Sequence, residues 1–242
     1  MRLKRKFKIL LALIIVFALG YTVYNYIQQN KVEPKPSPVV PEQKPAEPTP
    51  KPVVEIPKVN DILVLVDKKT PLPQDYVPVT EEFPLGYAVS SDYWARPEAV
   101  SAYIKMVDAM EEETGLWMYV TSAYRGFASQ ERLFNNYVAD HGEEKARTFV
   151  AYPGTSEHQT GLTIDLVTPN GDMFAFGDTD QSTWVDENAH KYGFVIRYEV
   201  QHEDVTGYMA EPWHLRYLGS DVAREVYESK KPFDDYYHSK FE

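Results

Sequence analysis

Apolar positions in this 242-residue chain change their spacing twice. From Ile9 to Ile27 they run without a charge, about the roughly twenty residues that a membrane helix requires. From residue 28 to 58 they thin out, and from 59 onward they return at the short periods of folded elements. The run from Val59 to Val66, rich in β-branched residues, predicts a buried strand, and Pro71, Pro73, Pro78 and Pro84 impose an irregular covering segment after it. Between Pro97 and Glu113, Ala99, Val100, Tyr103, Ile104, Val107 and Met110 make a helical stripe that Gly115 ends.

A strand over Leu116–Thr121 follows, then a helix from about Ser129 with Leu133, Phe134, Tyr137 and Val138 on one face, and a short helix from Glu143 to Val150. Strands are predicted at Gly161–Val167, Phe194–Tyr198 and Trp213–Leu218, and helices at Asp180–Tyr192 and Ser220–Ser229, the last capped by Ser220. The elements do not alternate strictly as β-α-β. The expected class is therefore α+β, a small, mainly antiparallel sheet flanked by helices.

The remaining composition divides the chain. Arg2, Lys4, Arg5, Lys6 and Lys8 precede the apolar run, so residues 1–8 read as a basic cytoplasmic tail and 9–27 as a transmembrane signal anchor. Ala18-Leu19-Gly20 is also a tolerable cleavage site, which makes a removed signal peptide the competing reading. Half of the 18 prolines fall between residues 28 and 58, so that piece builds no core and reads as a spacer reaching up to roughly 80 Å at about 3.1 Å per residue. Residues 59–242 are then expected to form one domain, held outside the cytoplasm at the membrane, or secreted if the signal is cleaved. The chain has no cysteine, which excludes disulfides and thiolate metal sites. Its net charge of −11 argues against a nucleic-acid partner.

The candidate chemistry lies in Pro153-Gly154-Thr155-Ser156-Glu157-His158-Gln159-Thr160-Gly161-Leu162-Thr163-Ile164-Asp165 and in Glu211-Pro212-Trp213-His214. Strand alternation puts Leu162, Ile164 and Leu166 on one face and Asp165 on the other, with His158 in a glycine-flanked loop that can fold back to the same side. His214 shares a face with Arg216. Glu211 lies three positions earlier, and Pro212 predicts that the strand starts after it and that a bend brings Glu211 round. Two histidines and a carboxylate suit a hydrolytic zinc site or non-haem iron. The spare carboxylate of Glu211 has no ligand role in the iron case.

Ser156-x-His158-x6-Asp165 followed by Glu211-x-x-His214, with Ser122-x-Tyr124-Arg125 and Gln130 upstream, resembles the VanY-type branch of the metallopeptidases that also include lysostaphin-like endopeptidases and the hedgehog signalling domain. The similarity runs from about Ile62 to Gly219. Gly126 departs from it, standing where a serine is common. The resemblance implies that His158, Asp165 and His214 bind Zn2+, that Glu211 is the general base, and that Arg125, with Gln130 and Ser156 beside it, binds substrate. It further implies that residues 59–242 are the catalytic domain of a carboxypeptidase that faces the cell wall and removes the terminal D-alanine of peptidoglycan stem peptides. Glu157-His158-Gln159-Thr160-Gly161 and Glu211-Pro212-Trp213-His214-Leu215-Arg216-Tyr217 resemble L,D-acting members, although the same strings occur in D,D-acting ones. An endopeptidase that cuts cross-links and a zinc-containing wall-binding module without turnover are the rival readings.

Overall fold

The structure is a computed structural model that describes residues 61–241. The expected tail, membrane anchor and linker, 1–8, 9–27 and 28–58, lie outside the described residues. Among the described residues no helix is long and apolar enough to cross a membrane.

In chain order the elements are β1 (Glu81–Glu82), β2 (Trp94–Ala95), α1 (Pro97–Thr114), β3 (Tyr119–Ser122), α2 (Phe127–His141), α3 (Glu143–Phe149), β4 (Thr163–Val167), α4 (Asp180–Asn188), β5 (Phe194–Tyr198), α5 (Glu203–Thr206), β6 (Glu211–Tyr217), α6 (Ser220–Ser229) and α7 (Phe233–Phe241). Strands β3, β4, β6 and β5 form, in that order, one four-stranded sheet, every neighbouring pair antiparallel. Strands β1 and β2 make a small separate ribbon. The α+β expectation describes this domain.

The sheet has two unlike faces because each strand alternates. Val120, Ile164, Leu166, Phe194 and Leu215 point to one side and pack with Tyr103, Met106, Val107 and Met110 of α1 in the main core. Each such side chain removed from water contributes about 1.5–3 kcal/mol. Helix α1 starts at Pro97, whose missing N–H costs nothing there, and ends at Gly115 with φ 72°. The other face carries Thr163, Asp165, Arg197, His214 and Arg216, all buried, beneath residues 62–66, a 3-10 turn at Glu157–Thr160 and α7.

Several expectations need correction. Residues 61–66 are not a strand, although Val64, Leu65 and Val66 are buried. The carbonyls of Ile62 and Val64 accept hydrogen bonds from Arg216 Nη2 at 2.9 and 2.7 Å, so a side chain takes the place of a neighbouring strand. Helix α2 begins at Phe127, before Ser129, and its Leu133 is exposed rather than packed. The predicted helix over Asp180–Tyr192 is α4 followed by a 3-10 turn, Ala189–Tyr192. Gly219, not Ser220, occupies the N-cap of α6, and a further helix, α7, follows it. Strand β6 begins at Glu211 and includes Pro212, so the predicted late start of that strand is wrong. Between Ile196↔Leu215 and Tyr198↔Glu211 the register advances two residues on β5 and four on β6. That bulge does what a bend ahead of the strand was expected to do.

Candidate metal centre and cleft

Register alone brings the first group together. Ser122 pairs with Asp165 across β3 and β4, and Asp165 pairs with His214 across β4 and β6, so three polar side chains lie side by side on one face. His158 reaches them from the 3-10 turn. Its Nδ1 lies 2.7 Å from the carbonyl of Ala123, and the amide of Arg125 donates to the carbonyl of His158 at 3.1 Å. A carbonyl only accepts, so Nδ1 of His158 carries the proton and Nε2 presents its lone pair inward.

His158 Nε2 is 3.2 Å from Asp165 Oδ2, and His214 Nδ1 is 3.1 Å from Asp165 Oδ1. One ligand atom from each of His158, Asp165 and His214 lies within 4.8 Å of the others, and all three residues are buried. Asp165 Oδ1 is buried without a hydrogen-bond partner, which is costly for a carboxylate unless something else satisfies it. Two imidazole nitrogens and a carboxylate oxygen around an orphaned acceptor fit a divalent cation, and they leave a coordination position open.

The charges around this point are strongly perturbed. Burial would raise the Asp165 carboxyl, but the two imidazoles outweigh it and hold it well below the usual carboxylate range. Burial pushes the His158 imidazole down, with Asp165 pulling the other way. Burial also opposes charge on His214, yet its contacts with Asp165 and Glu157 prevail and raise it to about 9. Glu211 Oε2 is 3.4 Å from His214 Nδ1, and burial lifts its carboxyl to about 7. A carboxyl poised near neutrality can both accept and return a proton.

Arg125 stands at the start of the loop into α2. Its Nη1 donates to Gln130 Oε1 at 2.9 Å and its Nη2 to Ser122 Oγ at 3.0 Å, while Gln130 Nε2 donates to the carbonyl of Ala151 at 2.7 Å. Both acceptors are neutral, so the guanidinium is aimed but has no ion-pair partner among the described residues. Ser156 is buried as well, and Arg125, Gln130 and Ser156 line one cleft of about 320 Å³ together with His158, Asp165, Glu211 and His214. The structure thus brings together His158, Asp165, His214, Glu211, Arg125, Gln130 and Ser156.

Two features were not anticipated. The cleft has an apolar wall of Leu133 and Tyr137 from α2, Phe149 from α3, Phe174 from a 3-10 turn and Trp213 from β6, an assembly that no single local sequence pattern marks. Behind His214 lies a buried ionic cluster of Glu157, Arg197, Arg216 and Asp234. A signal for that cluster existed: Arg197 stands between Ile196 and Tyr198, and Arg216 between Leu215 and Tyr217, as charges amid apolar strand residues.

Comparison with known proteins places the chain. The profile of the VanY family, described as D-alanyl-D-alanine carboxypeptidase, matches residues 92–220. YodJ of Bacillus subtilis (strain 168) is 41% identical over 185 residues, which cover 73% of this chain and 67% of that protein. Among solved structures, the LdcB LD-carboxypeptidase superposes with a TM-score of 0.70 at 38% identity, over 74% of this chain and 87% of that one. A mutant of the vancomycin-resistance D,D-pentapeptidase VanY, solved in complex with Zn(II), superposes with a TM-score of 0.62 at 28% identity, over 72% and 97%. The chain belongs to the VanY family of D-alanyl-D-alanine carboxypeptidases.

Proposed function

We propose that this protein is a zinc-dependent carboxypeptidase that releases the terminal D-alanine of peptidoglycan stem peptides, with preference for the L,D bond of a tetrapeptide. The observation that carries the reading is the placement of Glu211 and Arg125 in one cleft with the His158, Asp165 and His214 cluster: a carboxyl near neutrality and a cation without an ion pair, around a site fit for a metal. The metal reading is supported by the zinc complex of the VanY structure, and the L,D preference by the higher identity to LdcB.

His158 through Nε2, Asp165, and His214 through Nδ1 would hold the ion. Bound zinc supplies a Lewis acid that brings its water's pKa toward neutrality and polarises the scissile carbonyl. Glu211 takes the proton of the attacking water on its carboxylate and returns it to the departing amine of D-alanine. Arg125, braced by Ser122 and Gln130, receives the substrate's terminal carboxylate through its planar fork. Ser156 lines the same end of the cleft. The apolar wall covers the peptide and excludes water, which strengthens each of these charge contacts.

The substrate also fits a catalytic domain carried outside the cytoplasm by an N-terminal anchor and spacer, and we take that location as part of the proposal. The test is to incubate the zinc-loaded full-length protein with purified tetrapeptide and pentapeptide muropeptides and follow D-alanine release by mass spectrometry. Chelator-sensitive release from the tetrapeptide is expected. Release from the pentapeptide alone reverses the L,D assignment. Binding of wall fragments with neither peptide cleaved overturns the enzymatic reading, and cleavage within cross-links in place of D-alanine release makes the protein an endopeptidase.

A further inference from the structure

We infer that Glu157 is a positioning residue for His214, held in place by an ionic cluster that reaches to the C-terminal helix, so that Asp234 acts on the metal centre from outside the family-matched segment. The inference rests on the metal-site reading above.

The geometry divides the two oxygens of Glu157. Oε1 accepts from Arg197 Nε at 2.9 Å and from Arg216 Nη1 at 2.7 Å. Oε2 faces His214 Nε2 at 3.6 Å, with Thr163 Oγ1 at 3.5 Å as its other neighbour. A separation of 3.6 Å is too long for a hydrogen bond. Yet His214 Nε2 is buried with no hydrogen-bond partner, and Glu157 is the carboxylate that confronts it. A few tenths of an ångström of closure satisfies both atoms. Nε2 would then carry the proton and Nδ1, on the Asp165 side, would keep the lone pair that a metal needs.

The cluster is built to keep that carboxylate ionised and still. Two carboxylates and two guanidinium groups balance within it, and the side chains of Glu157 and Arg216 are wholly buried. Asp234 takes Arg197 with both oxygens, Oδ1 at 3.1 Å from Nη2 and Oδ2 at 2.5 Å from Nη1. Arg216 is fixed from the other side by the carbonyls of Ile62 and Val64. A buried ionic group of this kind is often no more stabilising than apolar packing, so stability alone is a weak reason for it. Its contact with His214 supplies a reason. Asp234, Ile62 and Val64 all lie outside residues 92–220.

The experiment measures zinc affinity by chelator competition on the full-length protein and on its Glu157→Gln and Asp234→Asn variants, with long-range 1H–15N spectra of the histidine rings. In the wild type, the zinc-loaded spectrum is expected to show His214 protonated on Nε2 and metal-bound through Nδ1. Glu157→Gln should weaken zinc binding by roughly 10–100-fold, and Asp234→Asn by less, with the His214 resonances shifted in both. If Glu157→Gln does not fold, Asp234→Asn and the wild-type spectrum decide. Unchanged affinity and unchanged His214 resonances in a folded variant, even with a lowered Tm, would make the cluster merely structural and overturn the inference. A wild-type protein that takes up no zinc overturns the metal-site reading itself.

Discussion

Glu211 and His214, three residues apart on one strand, meet on the same side of the sheet with Oε2 3.4 Å from Nδ1. A regular strand would place residues at that separation on opposite faces. Between its pairings with Ile196 and Tyr198, β6 advances four residues against two on β5, so the ladder is irregular there and strict alternation does not hold, and Pro212, which has no amide hydrogen to lose, sits inside the irregularity. The bulge therefore accompanies the placement of a spare carboxylate beside the candidate metal ligands.

Replacing Glu211 by Gln should separate binding from turnover. The amide keeps the shape and loses the proton acceptor, so kcat is expected to fall about 10²–10⁴-fold. Zinc content, measured by elemental analysis after dialysis, should stay at the wild-type level. Loss of the metal instead would make Glu211 a ligand.

Arg125→Lys keeps the charge and removes the planar fork braced by Ser122 and Gln130. A rise in KM and a drop in kcat/KM of about 10–100-fold are expected, consistent with the roughly 1.5–3 kcal/mol of a hydrogen bond to a charged group. The same change should do little on a substrate whose terminal carboxylate is amidated. An equal loss on both substrates would assign Arg125 to the scissile carbonyl.

The metal-free protein should lose stability as pH rises. His214 is raised from 6.5 to about 9, burial opposing the shift and its carboxylate contacts outweighing it. Glu211 is raised from 4.5 to about 7, chiefly by burial. A group whose pKa is higher in the folded state stabilises fully below its unfolded value and stops doing so above its folded value, so both contributions vanish between about pH 4.5 and 9. Zinc needs the unprotonated imidazole, so its binding strengthens over that range. Thermal melts with and without zinc should diverge with pH, the zinc-free Tm falling and the zinc-induced increment growing. An increment that shrinks toward pH 9 would contradict the assignment of His214 as a ligand.

Gly161→Ala should perturb the site through the backbone. Gly161 holds φ +69°, and a Cβ there would meet Arg96 Cγ and Pro78 Cγ, each at 3.1 Å. Left-handed backbone costs an alanine about 1–2 kcal/mol, or roughly 2–8 °C in Tm for a domain of this size, before any steric cost. Calorimetry checks the shift. An unchanged Tm would mean that the turn between His158 and β4 relaxes freely.

The elements legible in the sequence were those whose period local burial imposes. The stripe of α1 and the alternation of β4 and β5 report a single apolar face, and the structure keeps it. The candidate site was legible because alternation sets Asp165 opposite the aliphatic face of its strand, after a glycine-flanked loop, and because its partners form a specific joint pattern. Residues 61–66 were misread because burial alone does not distinguish a strand from a segment hydrogen-bonded to the Arg216 guanidinium. Asp234 and the bulge in β6 were illegible for a related reason. Each depends on a partner distant in sequence, and nothing in α7 itself points to Arg197.

The carbonyls of Ile62 and Val64 held by Arg216 also define a mechanical path. Tension applied along the chain from the N-terminal side of Ile62 reaches β6 through those two hydrogen bonds, two residues from His214 and five from Glu211. A pull from that side thus passes to the strand that carries half of the site, and Arg216 is where it is borne.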